Sequence, residues 1–243
     1  MHKPENKVLI FIWSLKRSGS HGLVKWLFPH FEDYEFLNNM SAKRPINPAR
    51  QETVYRPKDA LMVSFEDADL CNLIDHNKVD QIIKRGDIEG RFERLINIVL
   101  IRDPFNLIAS RMKGGWDTEE ATAKAVRLWK IHARECLGDT NFLQNKLVVL
   151  FHDWFSDIEY RKSMSKEIGF PFTDDGKSTL GHWGSSFDGK AYRNNANEMK
   201  VLERWRYYKD QAWFQKVCSD PEILELWGRI SDWMPEGAKE IVK

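Results

Sequence analysis

Residues 8–22 read VLIFIWSLKRSGSHG, and this stretch decides the fold. Its first part, Val8–Trp13, is entirely apolar, as in a strand that is buried on both faces. A loop of small and cationic residues follows, and then the amphipathic segment Leu23–Phe28. Loop N–H groups and a helix N-terminus converge on an anion in such a strand–loop–helix unit, so the stretch predicts a phosphate cradle. Gly19 permits close approach to the backbone, and Arg17 offers a planar fork of donors.

The loop differs from the phosphate-binding loop of nucleotide triphosphatases. Their motif, G-x-x-x-x-G-K-[ST], places a lysine and a magnesium-binding hydroxyl after the last glycine. Here Ser20 and His21 stand at those two positions, and the first glycine is missing. The sequence therefore argues against a metal–nucleotide triphosphate site, such as a kinase would need. For this segment alone, an ordinary polar turn between strand and helix stays open as the alternative.

Three further short runs are apolar and β-branched, and helical patterns lie between them. Continuous rather than alternating hydrophobicity indicates the strands of a parallel sheet that is covered on both sides. We therefore expect a three-layer α/β/α fold with a central parallel sheet, formed by one domain over residues 1–243. The other expected strands are Leu61–Phe65, Ile96–Ile101 and Leu147–Phe151. The expected helices include Ser156–Ile168, Lys200–Val217 and Thr118–Leu137, the last with Asp117 or Thr118 as its N-cap and Gly138 as its stop.

A second candidate site follows the apolar run Ile96–Ile101. Ligands of open α/β sheets bind beyond the carboxyl ends of the strands, and Arg102 leaves its strand at that edge. Pro104 suits the first turn of a helix, because its φ is fixed and it has no N–H to satisfy. Ser110 comes eight positions after Arg102, on the same helix. The arginine and the serine are therefore expected to close on a single phosphate.

Together the two segments resemble the cofactor-binding motifs of sulfotransferases that use 3′-phosphoadenosine 5′-phosphosulfate (PAPS). In that family a [Lys/Arg]-Ser-Gly-[Thr/Ser] loop wraps the 5′-phosphosulfate, and an Arg-[Asn/Asp]-Pro motif with a later serine holds the 3′-phosphate. The matching residues are Arg17, Ser18, Gly19 and Ser20 in the first motif and Arg102, Asp103, Pro104 and Ser110 in the second. The resemblance implies PAPS as the donor, 3′,5′-adenosine bisphosphate (PAP) as the product, and no required metal.

The resemblance extends over most of the chain at lower strength. Lys16 and His21 flank the first motif and are expected to contact the cofactor, although each replaces a residue that is more frequent in the family. A late serine-containing loop of the family closes over the adenosine and its 3′-phosphate. Its expected counterparts here are Ser186, Phe187, Lys190 and Arg193. The residues that stack on the adenine stay open.

Sulfuryl transfer to a hydroxyl or amine also requires a base for the proton of the acceptor. The small-molecule branch of the family takes it from just after the second strand, which nominates Glu66, with the neighbouring Asp67 as an alternative. The carbohydrate and tyrosyl branches nominate Glu32 or Glu35 instead. Arg17 is the expected group on the leaving phosphate oxygen. The resemblance thus implies transfer to a small molecule or glycan, with a catalytically silent PAP-binding protein as the alternative.

Composition limits the partners of this chain of 243 residues. Lys and Arg total 37 and Asp and Glu total 36, so the formal net charge is +1. That balance argues against a protein that coats nucleic acid or a membrane by charge alone. The longest apolar run is far shorter than the roughly 18–20 residues of a membrane span. Three widely spaced cysteines predict free thiols, and we expect a cytoplasmic protein without nucleic-acid or membrane partners.

Overall fold

Five parallel strands form one sheet at the centre of the structure. The computed structural model describes residues 7–40, 59–72, 92–178, 187–188, 192 and 195–240. The strands are β1 (Val8–Ser14), β2 (Tyr34–Leu37), β3 (Ala60–Glu66), β4 (Arg94–Ile101) and β5 (Lys146–Leu150). Their order across the sheet is β2-β3-β1-β4-β5, and every neighbouring pair is parallel. The predicted parallel sheet is thereby confirmed.

Helices cover both faces of this sheet. The α-helices of the described residues are α1 (Ser20–Leu27), α2 (Pro104–Lys113), α3 (Glu119–Leu137), α4 (Phe151–Ser156), α5 (Ile158–Ile168), α6 (Ala212–Cys218) and α7 (Pro221–Ile230). Short 3₁₀ turns are formed by Phe28–His30, Ala196–Glu198, Arg204–Tyr207 and Ala238–Glu240. Alternate residues of β1 face opposite layers: Phe11 packs in a hydrophobic cluster with α3 and α7, and Ile10 in another with α1, α4 and α5. The predicted three-layer α/β/α fold is confirmed.

The central strand β1 brings the candidate residues to one edge of the sheet. All of its residues are buried, and it lies between β3 and β4. Ser14, its last residue, is opposite Glu66 of β3 and Leu100 of β4. Since the strands are parallel, the loop after β1, Asp67 after β3 and Arg102 after β4 all emerge at this carboxyl edge.

Two predicted boundaries were wrong. The helix expected over Ser156–Ile168 ends at Ile168 as predicted but begins two residues late, at Ile158, because the carboxylate of Asp157 caps α5 and Ser156 is the last residue of α4. Phe151, expected as the last residue of a strand, begins α4. Helix α3, by contrast, starts after Thr118 and ends before Gly138, as the cap signals predict.

The single helix expected over Lys200–Val217 does not form. A 3₁₀ turn occupies its middle, and only α6 at its end is an α-helix. Two side chains from the corner after β4 bind the backbone of this segment. Arg102 donates to the carbonyl of Val201, and Asn106 donates to the carbonyl of Leu202 at 3.0 Å. Carbonyl groups used in this way are taken from the hydrogen-bond ladder of a helix, so tertiary contacts override the helical pattern.

The edge strand β2 was not predicted from the sequence. It has four residues, three of them partly exposed, so it lacks the continuous apolar run that marks the other strands. Pairing with β3 along its whole length holds it in place. Among the helices of the described residues, none combines the length and the apolarity that a membrane crossing requires. Cys71, Cys136 and Cys218 are free thiols.

Gly176 tests how the segment after α5 packs on α1. A Cβ at this position would stand 2.0 Å from the carbonyl oxygen of Lys25 and 2.9 Å from the Cα of Trp26. Because these are backbone atoms, they cannot move away by rotation of a side chain. We expect Gly176→Ala to lower the free energy of unfolding by about 1–3 kcal/mol, measured by urea denaturation with tryptophan fluorescence.

Gly228→Ala is the matched control. Gly228 lies inside α7, and an added Cβ there would meet nothing within 4 Å. Alanine should therefore raise the free energy of unfolding by about 0.5–1 kcal/mol through its better helix propensity. Wild-type stability in the Gly176→Ala variant would contradict the packing described here.

Candidate functional site

A cavity of about 290 Å³ opens at the carboxyl edge of the sheet. Its walls come from the loop after β1, the end of β3, the corner between β4 and α2, helix α4, and five residues of the later chain: Lys177, Ala196, Met199, Val201 and Arg204. The structure thus brings most of the nominated residues to one continuous space. Those that line it are Lys16, Arg17, Gly19, Ser20 and His21 of the loop, together with Glu66, Arg102 and Ser110.

The loop between β1 and α1 is curled by two residues with positive φ. Arg17 has a φ of +77° and Gly19 a φ of +97°, both in the left-handed region. Left-handed residues within such a loop are typical of the backbone concavities that bind anions. A Cβ on Gly19 would stand 2.1 Å from the ring of Phe151, so this position has room only for glycine. Ser18 is buried in the middle of the loop.

Arg102 connects the two motifs. Its side chain is buried; Nη1 donates to the carbonyl of Arg17 at 2.9 Å, and Nη2 donates to the carbonyl of Val201. The guanidinium also lies over the ring of Phe151, with Cζ 4.7 Å from the ring centre. Burial lowers the pKa of Arg102, and the positive charge of Arg204 lowers it further. The residue expected at one phosphate therefore touches the loop expected at the other.

Arg204 is a cation of this site that the sequence analysis missed. Its Nη1 donates to Ser110 Oγ at 3.1 Å, and its Nη2 donates to the carboxylate of Asp188 at 2.6 Å. Phe187, one of the nominated residues, lies beside Arg204, with its ring centre 4.6 Å from Arg204 Cζ. Burial, followed by the charge of Arg204, lowers the pKa of Arg17. No short motif could have identified Arg204, because its partner Ser110 is 94 positions away in the chain.

The two carboxylates at the end of β3, Glu66 and Asp67, have different surroundings. Glu66 lines the cavity, and its Oε1 accepts a hydrogen bond from Ser20 Oγ at 2.8 Å. Asp67 accepts from both terminal nitrogens of Arg111, at 2.7 and 3.1 Å, and from the backbone N–H of Lys16 at 2.9 Å. Asp67 therefore anchors the loop to the sheet, whereas Glu66 faces the cavity.

The other nominated residues lie away from the cavity or outside the described part of the chain. Glu35 pairs with Leu61 in β3, five residues before Glu66, which places it about 16 Å short of the carboxyl edge. Glu32 precedes β2, and neither it nor Glu35 lines the cavity. Ser186, Lys190 and Arg193 lie outside the described residues.

Aromatic side chains that the sequence analysis did not nominate form much of the cavity wall. Trp116 lies beside the loop, with its ring centre 5.6 Å from Lys16 Nζ and 5.8 Å from Arg17 Cζ. Trp154 and Phe155 of α4 also line the cavity. In the sequence these residues cannot be distinguished from the many aromatic residues that pack helices onto the sheet.

A curled loop and three guanidinium groups surround one cavity at the carboxyl edge of a parallel sheet, an arrangement that is typical of anion-binding sites in α/β proteins. Neither a protein-family model nor the sequence of a characterised protein matches the chain. Solved structures do. The sulfotransferase domain of the olefin synthase of Synechococcus PCC 7002 superposes with a TM-score of 0.57 at 17% identity, covering 96% of this chain and 99% of that one.

A second solved structure gives the same result. Mouse sulfotransferase SULT7A1, solved in complex with PAP, superposes with a TM-score of 0.53 at 16% identity, covering 99% of this chain and 90% of that one. The chain therefore has the fold of the sulfotransferases, as the two motifs predicted.

The pair of Asp67 and Arg111 is expected to stabilise the loop measurably. Both side chains are largely buried, at 13% and 5% exposed, so Asp67→Asn would leave a buried guanidinium without its carboxylate. We expect the free energy of unfolding, measured by urea denaturation, to fall by about 3 kcal/mol.

Asp139→Asn is the matched control, because Asp139 accepts two hydrogen bonds from Arg229, at 2.9 and 2.7 Å, in a pair exposed to water. That substitution should leave the stability nearly unchanged. Equal effects of the two substitutions would show that Asp67 does not anchor the loop.

Proposed function

We propose that the protein is a sulfotransferase that moves the sulfuryl group of PAPS to a hydroxyl or amine of a small molecule or glycan. The hydrogen bond from Arg102 to the carbonyl of Arg17 carries this proposal, because it joins the two phosphate-binding motifs at one cavity. The fold supports it, and so does the complex of SULT7A1 with PAP, an adenosine that carries two phosphates. PAP is accordingly the proposed product.

The residues of the cavity fit a nucleotide with two phosphate groups. The buried polar atoms without a hydrogen-bond partner among the described residues include four donor atoms of the two motifs: Nε and Nη2 of Arg17, Oγ of Ser18 and Nε of Arg102. Buried donors are normally paired, and phosphate oxygens are the acceptors that suit a guanidinium best. Residues 16–20 would hold the 5′-phosphosulfate. Arg102, Ser110 and Arg204 would hold the 3′-phosphate.

Glu66 and Arg17 would carry the chemistry. When bound, PAPS supplies a sulfuryl group attached to a phosphate that leaves readily. Glu66 would accept the proton of the acceptor's hydroxyl or amine, and the hydrogen bond from Ser20 holds its carboxylate at the cavity. Arg17 would donate N–H groups to the oxygens that gain negative charge. Because guanidinium and amide donors receive this charge, we propose that the reaction requires no metal.

Stabilisation by ligands tests the proposed cofactor. Saturating PAP without Mg²⁺ should raise the melting temperature by several degrees, since a ligand that binds only the folded chain stabilises it. Adenosine 5′-monophosphate is the matched control and should raise it less, because it lacks the 3′-phosphate. Stabilisation by ATP with Mg²⁺ but not by PAP would contradict the proposal and favour a kinase.

Glu66→Gln tests the proposed base. We expect the rate of sulfuryl transfer to fall by about 100-fold or more, since an amide cannot accept the proton, while the affinity for PAP stays nearly unchanged. The rate is measured with PAPS carrying labelled sulfur and a panel of phenols, alcohols, amines and sugars.

Glu35→Gln is the control for this substitution, because Glu35 lies far from the carboxyl edge, and it should keep the wild-type rate. Unchanged transfer in the Glu66→Gln variant would remove Glu66 from the role of base. A wild type that binds PAP but transfers to none of these acceptors would favour the silent binding protein.

A further inference from the structure

Lys177 lines the cavity and has no part in the chemistry proposed above. Its side chain is buried, at 6% exposed, and its Nζ lies 4.0 Å from the ring centre of Phe155 and 5.3 Å from that of Trp154. Nζ donates a hydrogen bond to Asn197 Oδ1 at 2.7 Å. An ammonium group has three donors, so two are without a partner among the described residues.

The charge of Lys177 is not balanced by a bonded carboxylate of the described residues. The negative charge of Asp174 raises the pKa of Lys177 in part. The carboxylate of Asp174, however, accepts two hydrogen bonds from Arg161, at 2.8 and 2.7 Å, and one from Trp26 Nε1 at 3.0 Å. Burial lowers the pKa of Lys177 to about 8. A buried ammonium without a bonded carboxylate costs free energy, and groups kept under such conditions cluster at ligand-binding sites.

A row of aromatic rings connects Lys177 to the phosphate-binding groups. Phe151 lies against Gly19 and beneath the guanidinium of Arg102. Its ring stacks on Phe155, with the ring centres 5.8 Å apart and the planes 27° from parallel. Nζ of Lys177 lies over the ring of Phe155, at the other end of this row. A nucleotide whose phosphates bind at the loop and at Arg102 would therefore have flat aromatic surface beside its base.

We propose that Lys177, whose ammonium group lies over Phe155, recognises the base of the bound nucleotide and that Trp154 provides aromatic surface for this base. This proposal rests on the proposed function, because it takes the phosphate-binding residues as the anchor of the ligand. An ammonium group only donates, so it selects a base with an acceptor atom on the facing edge, such as a ring nitrogen of adenine. Aromatic surface favours a purine, whose two rings stack over a larger area.

Calorimetric binding of two ligands separates the base from the phosphates. The ligands are PAP and methyl ribofuranoside 3,5-bisphosphate, which carries both phosphates but no base. We expect wild-type protein to bind PAP at least about tenfold more tightly than it binds the base-free ligand. Lys177→Met keeps the apolar stem and removes the ammonium group. It should therefore lower the affinity for PAP by about tenfold and leave the affinity for the base-free ligand unchanged. Lys177→Arg, which keeps the charge, should recover part of the loss.

Two further variants complete the test. Lys162→Met is the matched control, because Nζ of Lys162 also lies over an aromatic ring, 5.9 Å from the centre of Phe172, but outside the cavity lining. It should change neither affinity. Phe155→Leu removes the ring over which the Lys177 ammonium lies, so it should weaken the binding of PAP and leave that of the base-free ligand unchanged.

Equal wild-type affinity for the two ligands would overturn the role of Lys177 and leave the phosphate site and the proposed function in place. Equal losses for both ligands in Lys177→Met, or no loss for PAP, would overturn it in the same way. Failure of the wild type to bind either ligand would overturn this proposal and the proposed function together. Should Lys177→Met not fold, Lys177→Arg and Phe155→Leu decide the question by the same comparison.

Discussion

The guanidinium of Arg102 holds three parts of the chain together. Arg102 follows the last residue of β4. Its guanidinium donates to the carbonyl of Arg17 in the loop after β1 and to the carbonyl of Val201 in the C-terminal region. Trp129 of α3 fixes its backbone, because the indole Nε1 donates to the Arg102 carbonyl at 2.9 Å. Since the side chain is buried, losing these partners would leave an unsatisfied charge. This one residue therefore links three of the segments that line the cavity.

The positive charge of the site comes largely from three arginines that lie close together. Arg17, Arg102 and Arg204 gather around one partly buried space, where burial and then the charge of Arg204 lower the pKa of the other two. Asp188 pairs with Arg204, and Glu66 lies close enough to raise the pKa of Arg17 in part. Two phosphate groups of a bound nucleotide would supply further negative charge. A chain with a net charge of +1 can thus have a strongly cationic cavity, because the cations are clustered locally.

The sequence analysis predicted those features that depend on residues close together in the chain. The apolar run of β1, the glycine of its loop, the caps of α3 and the arginine after β4 all follow from short patterns, and each lies where expected. Arg204 and Lys177 were missed as residues of the cavity, because the side chains that they contact there lie 94 and 20 positions away in the chain. The helix expected over Lys200–Val217 fails for the same reason, since Arg102 and Asn106 bind its backbone. Only the three-dimensional contacts distinguish the anchoring Asp67 from its neighbour at the cavity.

A crystal structure of the protein with PAP bound would test the central claim most directly. One nucleotide should bridge the two motifs, with its 5′-phosphate at residues 16–20 and its 3′-phosphate within hydrogen-bond distance of Arg102 and Ser110. A structure in which Arg102 contacts neither phosphate, or in which PAP lies away from the loop after β1, would contradict the account.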